Sequence, residues 1–147
     1  MQRPPSIINF EHSFWASILT GIVGTLIHWQ MMTELVKNDP MMSESADMAI
    51  TVIGFAIFMS FALSGLLWYL IARRASRVTR WIYVLLMGFG SISTVTSIND
   101  PMAPQGFGLA LMLVSTALTV LSIYFLFRPD ASEWFKGKRG VDPETFR

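Results

Sequence analysis

Four long stretches without Asp, Glu, Lys or Arg divide this chain into apolar segments. A helix needs about 20 apolar residues to cross about 30 Å of hydrocarbon, and each stretch approaches or exceeds that length. We therefore predict an all-α, polytopic membrane protein whose single domain consists of four transmembrane helices. The predicted spans cover about 13–36, 46–72, 81–98 and 102–127, followed by a tail at 128–147.

The third predicted span is the shortest and the richest in glycine and hydroxyl residues, which are concentrated at 88–97. Small and hydroxyl side chains favour close contact between membrane helices. We therefore expect the third helix to lie inside the bundle. The Asn99-Asp100-Pro101 sequence predicts a tight turn, which would make the third and fourth helices antiparallel neighbours.

Nearly all basic residues fall on one side of the membrane in the predicted topology. Of eleven Lys and Arg residues, only Lys37 falls on the other side if the N-terminus is cytoplasmic. Short loops rich in Lys and Arg stay in the cytoplasm, so we expect both termini to be cytoplasmic. A Ser43-Glu44 start, followed by Asp47, predicts a capped beginning for the second helix.

The composition excludes several classes of catalytic and transport chemistry. The chain has 147 residues, of which 52% are hydrophobic and 14% charged, and it contains no cysteine. Thiolate catalysis, disulfide exchange and iron–sulfur ligation are therefore excluded. No carboxylate, Lys or Arg lies at mid-span, which argues against ion-coupled transport, and no nucleophile with a base can be assembled there. We expect neither an enzyme nor a nucleic-acid partner, and no resident cofactor.

Among Asp, Glu, Lys, Arg and His residues, only His28 lies within the four charge-free stretches at 13–33, 48–72, 81–98 and 101–127. It shares a helical stripe with Ala16, Thr20 and Gly24, each four residues apart, so we expect it to face a neighbouring helix. It could be a haem or metal ligand or a proton-responsive switch. The interpretation that we favour is a neutral histidine that is hydrogen-bonded to hydroxyls of the third span. Candidate hydroxyls are those of Thr94, Thr96 and Ser97.

Several methionines gather at the predicted outer ends of the spans. Thioethers together with a histidine could hold Cu(I), although methionine more often fills gaps in apolar packing. We expect packing here. These residues are Met31, Met32, Met41, Met42, Met48 and Met102.

The tail after the last span contains an Asp130-x-x-Glu133 capping signature followed by aromatic and basic residues. This pattern predicts a short helix on the inner membrane surface, with its aromatic rings turned inward and its cations near lipid phosphates. With the second-loop arginines it would form a basic face that binds anionic lipid or an acidic partner. The predicted lipid- or partner-binding residues are Arg73, Arg74, Arg77, Arg80, Trp134, Phe135, Lys136, Lys138, Arg139 and Phe146.

The segment 127–135, with the sequence FRPDASEWF, resembles the end of many small, uncharacterised four-span bacterial inner-membrane proteins. Such a resemblance implies a location in a bacterial inner membrane. It carries no activity with it.

These patterns favour an accessory or structural subunit of a larger membrane complex, because the spans offer mainly small residues for helix contact. The tail residues Phe146 or Trp134 and Phe135 would contact another chain. A homo-oligomeric pore or small-solute transporter is one alternative, and a haem or copper protein using His28 is another. The small residues in question are Gly21, Gly24, Ala56, Ser60, Ser64, Gly88, Gly90, Ser115 and Thr119.

Overall fold

The computed structural model describes residues 3–100 and 103–137, and its regular elements there are all helical. This confirms the predicted all-α class. Five α-helices follow one another, with a short 3₁₀ turn at Ser43–Ser45. The helices are α1 Pro5–Asn38, α2 Ala46–Ala72, α3 Arg77–Thr96, α4 Phe107–Leu126 and α5 Pro129–Gly137.

Three helical segments in the described part of the chain are long and apolar enough to cross a membrane. They are Ser43–Ala72, Arg77–Thr96 and Phe107–Leu126, and they make this chain a multi-pass membrane protein. The predicted second, third and fourth spans are confirmed to that extent. α1 has 34 residues, a length of about 51 Å, but it is less apolar and is not among the three.

The helix starts differ from the predicted span limits because local signals extend or delay them. α1 begins at Pro5, well before the predicted span, since proline at the first helical position is already in a helical conformation. α3 begins at Arg77 because the Ser76 hydroxyl accepts a hydrogen bond from the Thr79 N–H. The predicted Ser43 cap is wrong: Ser43 lies in the 3₁₀ turn, and α2 starts at Ala46.

α1 is the central helix, and it packs mainly against α4 in an antiparallel arrangement. The Ser17 hydroxyl lies 2.7 Å from that of Thr119 and donates to the Ser115 carbonyl at 2.9 Å. Further along, a Cβ atom on Gly24 would lie 3.5 Å from the Leu111 Cβ. The two helices therefore approach closely because glycine and serine occupy their contact, as the small-residue pattern predicted.

The buried core is concentrated at one end of the bundle, which we call the closed end. There the Tyr83 hydroxyl lies 2.7 Å from the Ser122 hydroxyl, and the Phe10 ring meets the Tyr83 ring edge-on at 5.6 Å. Aromatic rings from three helices thus fill the space between the helix ends. This core contains Ile7, Phe10, Phe14, Leu67, Ile71, Ala72, Ala75, Tyr83, Leu126, Ala131 and Phe135.

The opposite end, formed by the end of α1, the 3₁₀ turn and the α3–α4 connection, is the open end. α3 does not lie inside the bundle there, contrary to the prediction: a Cβ atom on Gly88 or Gly90 would meet nothing within 4 Å. The hydroxyls of Ser91 and Thr94 donate to carbonyls of their own helix. A hydroxyl-rich helix can therefore satisfy its polar groups alone, and its composition did not specify a neighbour within the chain.

Candidate functional site

α5 lies across the closed end and is tied to the start of α1. The Asp130 carboxylate accepts hydrogen bonds from the Ser6 hydroxyl at 2.7 Å and from the Ser6 backbone N–H at 3.1 Å. The hydroxyl bond is the main reason why the pKa of the Asp130 carboxyl lies below its ordinary value of 3.8. Asp130 therefore caps the first turn of α1 and also interacts with the Ala131 backbone N–H of its own helix, for which the sequence pattern had predicted the cap.

The aromatic residues of α5 face the protein. Phe135 is only 3% exposed and belongs to the core, and Trp134 is partly buried against that core. The expectation that both rings dip into lipid is wrong for Phe135, because the ends of α1 and α4 provide a closer apolar surface. The short helix itself is present as predicted, at Pro129–Gly137.

A basic crevice lies between the first turns of α3 and one face of α5, with a cavity volume of about 310 Å³. The Arg77 Nε donates to the Phe135 carbonyl at 3.0 Å, which joins the two helices. Arg77 and Arg80 lie one turn apart on α3, and Ser132 and Lys136 lie one turn apart on α5. The crevice is lined by Arg77, Arg80, Trp81, Ser132, Phe135 and Lys136.

The other predicted basic residues lie elsewhere. Arg73 and Arg74 are exposed in the α2–α3 connection, with the Arg73 guanidinium carbon 6.0 Å from the centre of the Trp68 ring. Lys138, Arg139 and Phe146 lie outside the described residues. The sequence reasoning missed Ser132, although its spacing of four residues from Lys136 could have placed both on one helix face.

His28 lines a second cavity, of about 200 Å³, between α1, α2 and the start of α4. Thr20 and Gly24 line the same cavity, so the predicted stripe does face neighbouring helices. Met32 and Met112 contribute thioethers to its wall. The cavity is large enough for one ring or a short acyl segment, since a 150 Å³ cavity holds benzene.

The α3 hydroxyls named as partners of His28 line a different space. Thr94 and Ser97 face a cleft of about 340 Å³ between the open ends of α3 and α4. Pro104 and Met112 line both this cleft and the His28 cavity. The Thr96 hydroxyl donates to the Ser93 carbonyl at 2.9 Å. α3 and α4 are in contact at the closed end and are separated by this cleft at the open end, where Thr94 and Ser97 line the cleft and not the His28 cavity.

The methionines do not form one cluster in the described part of the chain. Met32 lines the His28 cavity, whereas Met41 and Met48 are 93% and 71% exposed. Met102 lies outside the described residues. Within residues 3–100 and 103–137, no group of three His, Cys, Asp or Glu residues could hold a metal ion.

Comparisons with known proteins add no family: no protein-family model, no curated protein and no solved structure matches this chain.

Proposed function

We propose that this chain is a non-catalytic accessory subunit of a larger membrane complex, with a helix of a different subunit packed on the open half of α3. The observation that carries this proposal is the exposed small-residue face of α3. Gly90, Thr94 and Ser97 follow one another at helical spacing, and no other part of the described chain lies near Gly90. The cleft beside Thr94 and Ser97 continues this face towards α4.

A helix is the occupant that suits this face best. Lipid tails form no hydrogen bonds with the hydroxyl groups and no specific contact with the backbone exposed at glycine. Another helix can approach closely there and make dispersion contacts. Large apolar side chains such as Phe89 and Ile92, which are 76% and 64% exposed, flank the face and suit contact with lipid or with the same partner.

We further propose that α1 is the fourth span, with both termini in the cytoplasm. Contacts between α1 and α4 extend from Ser17 with Thr119 to Gly24 with Leu111, so α1 accompanies a membrane-crossing helix over much of its length. The exposed arginines at 73, 74 and 77 lie at the closed end, and this asymmetry supports a cytoplasmic closed end.

Replacing Gly90 with leucine tests the helix-docking proposal. Because a side chain there meets nothing in the chain, Gly90→Leu should leave the isolated protein as stable as wild type. It should reduce co-purification of the partner subunit from mild detergent at least about fivefold, since overpacking an interface costs about 1–3 kcal/mol. Gly65→Leu on α2 is the matched control, because Gly65 has equally open surroundings.

Equal retention of the partner by both variants would show that α3 is not the contact. A protein that purifies as a lone monomer, or only with copies of itself, would contradict the accessory-subunit proposal, and self-association would favour the homo-oligomeric pore. A Soret band or bound copper would favour the third alternative, in which His28 acts with Met32 or Met112 in their shared cavity.

A further inference from the structure

The basic crevice between α3 and α5 has the charge of an anion site. Arg77, Arg80 and Lys136 make no ion pair with any carboxylate of residues 3–100 and 103–137. Of the two acidic residues of α5, Asp130 is engaged by Ser6, and Glu133 is exposed and does not line the crevice. Three positive charges therefore line one cavity without a described counter-charge.

The two arginines are held in place by groups that leave their charge intact. Arg77 donates its Nε to the Phe135 carbonyl, and Arg80 donates its Nη1 to the Leu126 carbonyl at 3.5 Å. The Arg80 guanidinium carbon lies 5.1 Å from the centres of the Phe127 and Phe135 rings. Carbonyls and ring faces orient a guanidinium without neutralising it, so the remaining N–H groups stay available.

One donor shows directly that the arrangement is incomplete. The Arg80 Nε is buried and has no hydrogen-bond partner in the described part of the chain. Leaving a buried charged donor unsatisfied is costly, and an acceptor at the crevice would remove that cost. The Ser132 hydroxyl adds a neutral donor on the opposite wall.

Phosphate is the anion that this donor set fits. Guanidinium groups bind phosphate oxygens with two parallel hydrogen bonds, and an ammonium and a hydroxyl group complete the set. Apolar surface surrounds the crevice: Val78, Trp81 and Phe127 are 70%, 52% and 43% exposed. A tryptophan at the edge of a membrane helix marks headgroup depth, where a lipid phosphate lies above its acyl chains.

We propose that Arg77, Arg80, Ser132 and Lys136 bind the phosphate group of an anionic lipid in the crevice between α3 and α5. The acyl chains follow the apolar surface of Val78, Trp81 and Phe127. This site does not depend on a partner subunit. It differs from general attraction of a basic loop to a membrane, because the donors converge on one cavity from two helices.

Native mass spectrometry of the purified full-length protein, titrated with phosphatidylglycerol and separately with phosphatidylcholine, tests the site. Phosphatidylglycerol should stay bound and phosphatidylcholine should not. Arg77→Gln and Lys136→Gln should each weaken phosphatidylglycerol binding about tenfold, the value of one charge-assisted hydrogen bond. Arg74→Gln removes the same charge outside the crevice and should change binding less than about twofold.

Three outcomes would overturn the proposal. Equal loss of binding in Arg74→Gln and in the crevice variants would show a diffuse charge effect. Equal retention of phosphatidylcholine, whose phosphate charge is balanced by choline, would show that the site does not recognise a net negative headgroup. A parallel arm with free glycerol phosphate separates the two sources of the ligand. If glycerol phosphate binds as tightly as the lipid, the lipid assignment is wrong. Lys136 is exposed, so its variant should fold normally, and an unchanged melting temperature without lipid checks this.

Discussion

At the scale of single residues, Asp130 links distant parts of the chain. α1 begins after Pro4, whose side chain cannot cap a helix, and the Ser6 N–H would otherwise lack an acceptor. The Asp130 carboxylate supplies that acceptor from another helix and places a negative charge at the positive end of the α1 dipole. The start of α1, whose own sequence provides no side-chain cap, is therefore capped by a residue of another helix.

We expect Asp130→Asn to lower the free energy of unfolding by about 1 kcal/mol, because the amide keeps one acceptor oxygen but loses the second hydrogen bond to Ser6 and the negative charge at the start of α1. The pKa of the carboxyl is lowered by folding, so its contribution is fully present above about pH 4 and is lost as the pH falls through the folded value. Thermal unfolding in detergent between pH 3 and 7 measures this. The difference between wild type and variant should shrink towards the acid end.

Glu133→Gln is the control for this prediction, because it removes an exposed carboxylate from the same helix. It should leave the stability within about 0.5 kcal/mol of wild type at every pH. A pH dependence that is the same in Asp130→Asn as in wild type would show that another group is responsible.

The capping signature illustrates what sequence could and could not predict about a residue. The Asp-x-x-Glu pattern correctly indicated a helix beginning near 130, and α5 begins at Pro129. Which N–H groups the carboxylate would serve was not predictable, because Ser6 lies 124 residues away and its position depends on the packing of every helix between. The same holds for the basic crevice. The sequence showed that Arg77 and Arg80 lie one helical turn apart, but it did not show that α5 forms the opposite wall of the crevice.

At the scale of elements, the small residues of the spans predicted the close contact of α1 but not the position of α3. Gly21 and Gly24 meet side chains of α4, whereas Gly88 and Gly90 meet nothing within 4 Å. The two sets of small residues look alike in sequence. Small residues allow a neighbouring helix to approach closely, but they do not determine which helix it is. α1 gained its partner through serine hydroxyls that are matched by hydroxyls on α4, as in the pair of Ser17 and Thr119.

Gly24→Leu should separate α1 from α4. A Cβ atom at Gly24 would already touch the Leu111 Cβ at 3.5 Å, so the further atoms of a leucine must crowd Leu111 or enter the His28 cavity that Gly24 also lines, and we expect the α1–α4 contact to loosen. We expect a loss of about 1–3 kcal/mol in the free energy of unfolding, measured by denaturation in mixed micelles. Gly65→Leu should be nearly neutral by the same measurement, and equal destabilisation by both changes would contradict this account of the contact.

At the scale of the whole molecule, burial is unequal between the two ends. The aromatic core joins all five helices at the closed end, while the open end contains the His28 cavity and the cleft beside α3. The sequence predicted helix number and order well, because length and charge-free stretches decide them. It could not predict this inequality, since the bulky core residues Phe10, Phe14 and Tyr83 are no more apolar than many residues that remain exposed.

The proposed orientation predicts where fused reporters will be active. A reporter that works only outside the cytoplasm should be silent when it is fused after Arg147 and active when it is fused at Met42. The reason is that exposed Arg73, Arg74 and Arg77 lie at the closed end, and short basic loops are retained in the cytoplasm. Activity at both positions would mean that α1 does not cross the membrane, and the reverse result would overturn the orientation.

The hydrogen bonds between Ser6 and Asp130 also mean that the cap of α1 can form only late in synthesis. α1 leaves the ribosome before the other described helices and has no side-chain cap of its own, and Asp130, which caps it, is made 124 positions after Ser6, when α4 is complete. The Ser6 N–H therefore lacks its carboxylate acceptor while the later helices are made. A nascent chain that stops before Asp130 already contains the four long helices α1 to α4. The first turn of its α1 still lacks the carboxylate cap that the longer chain provides.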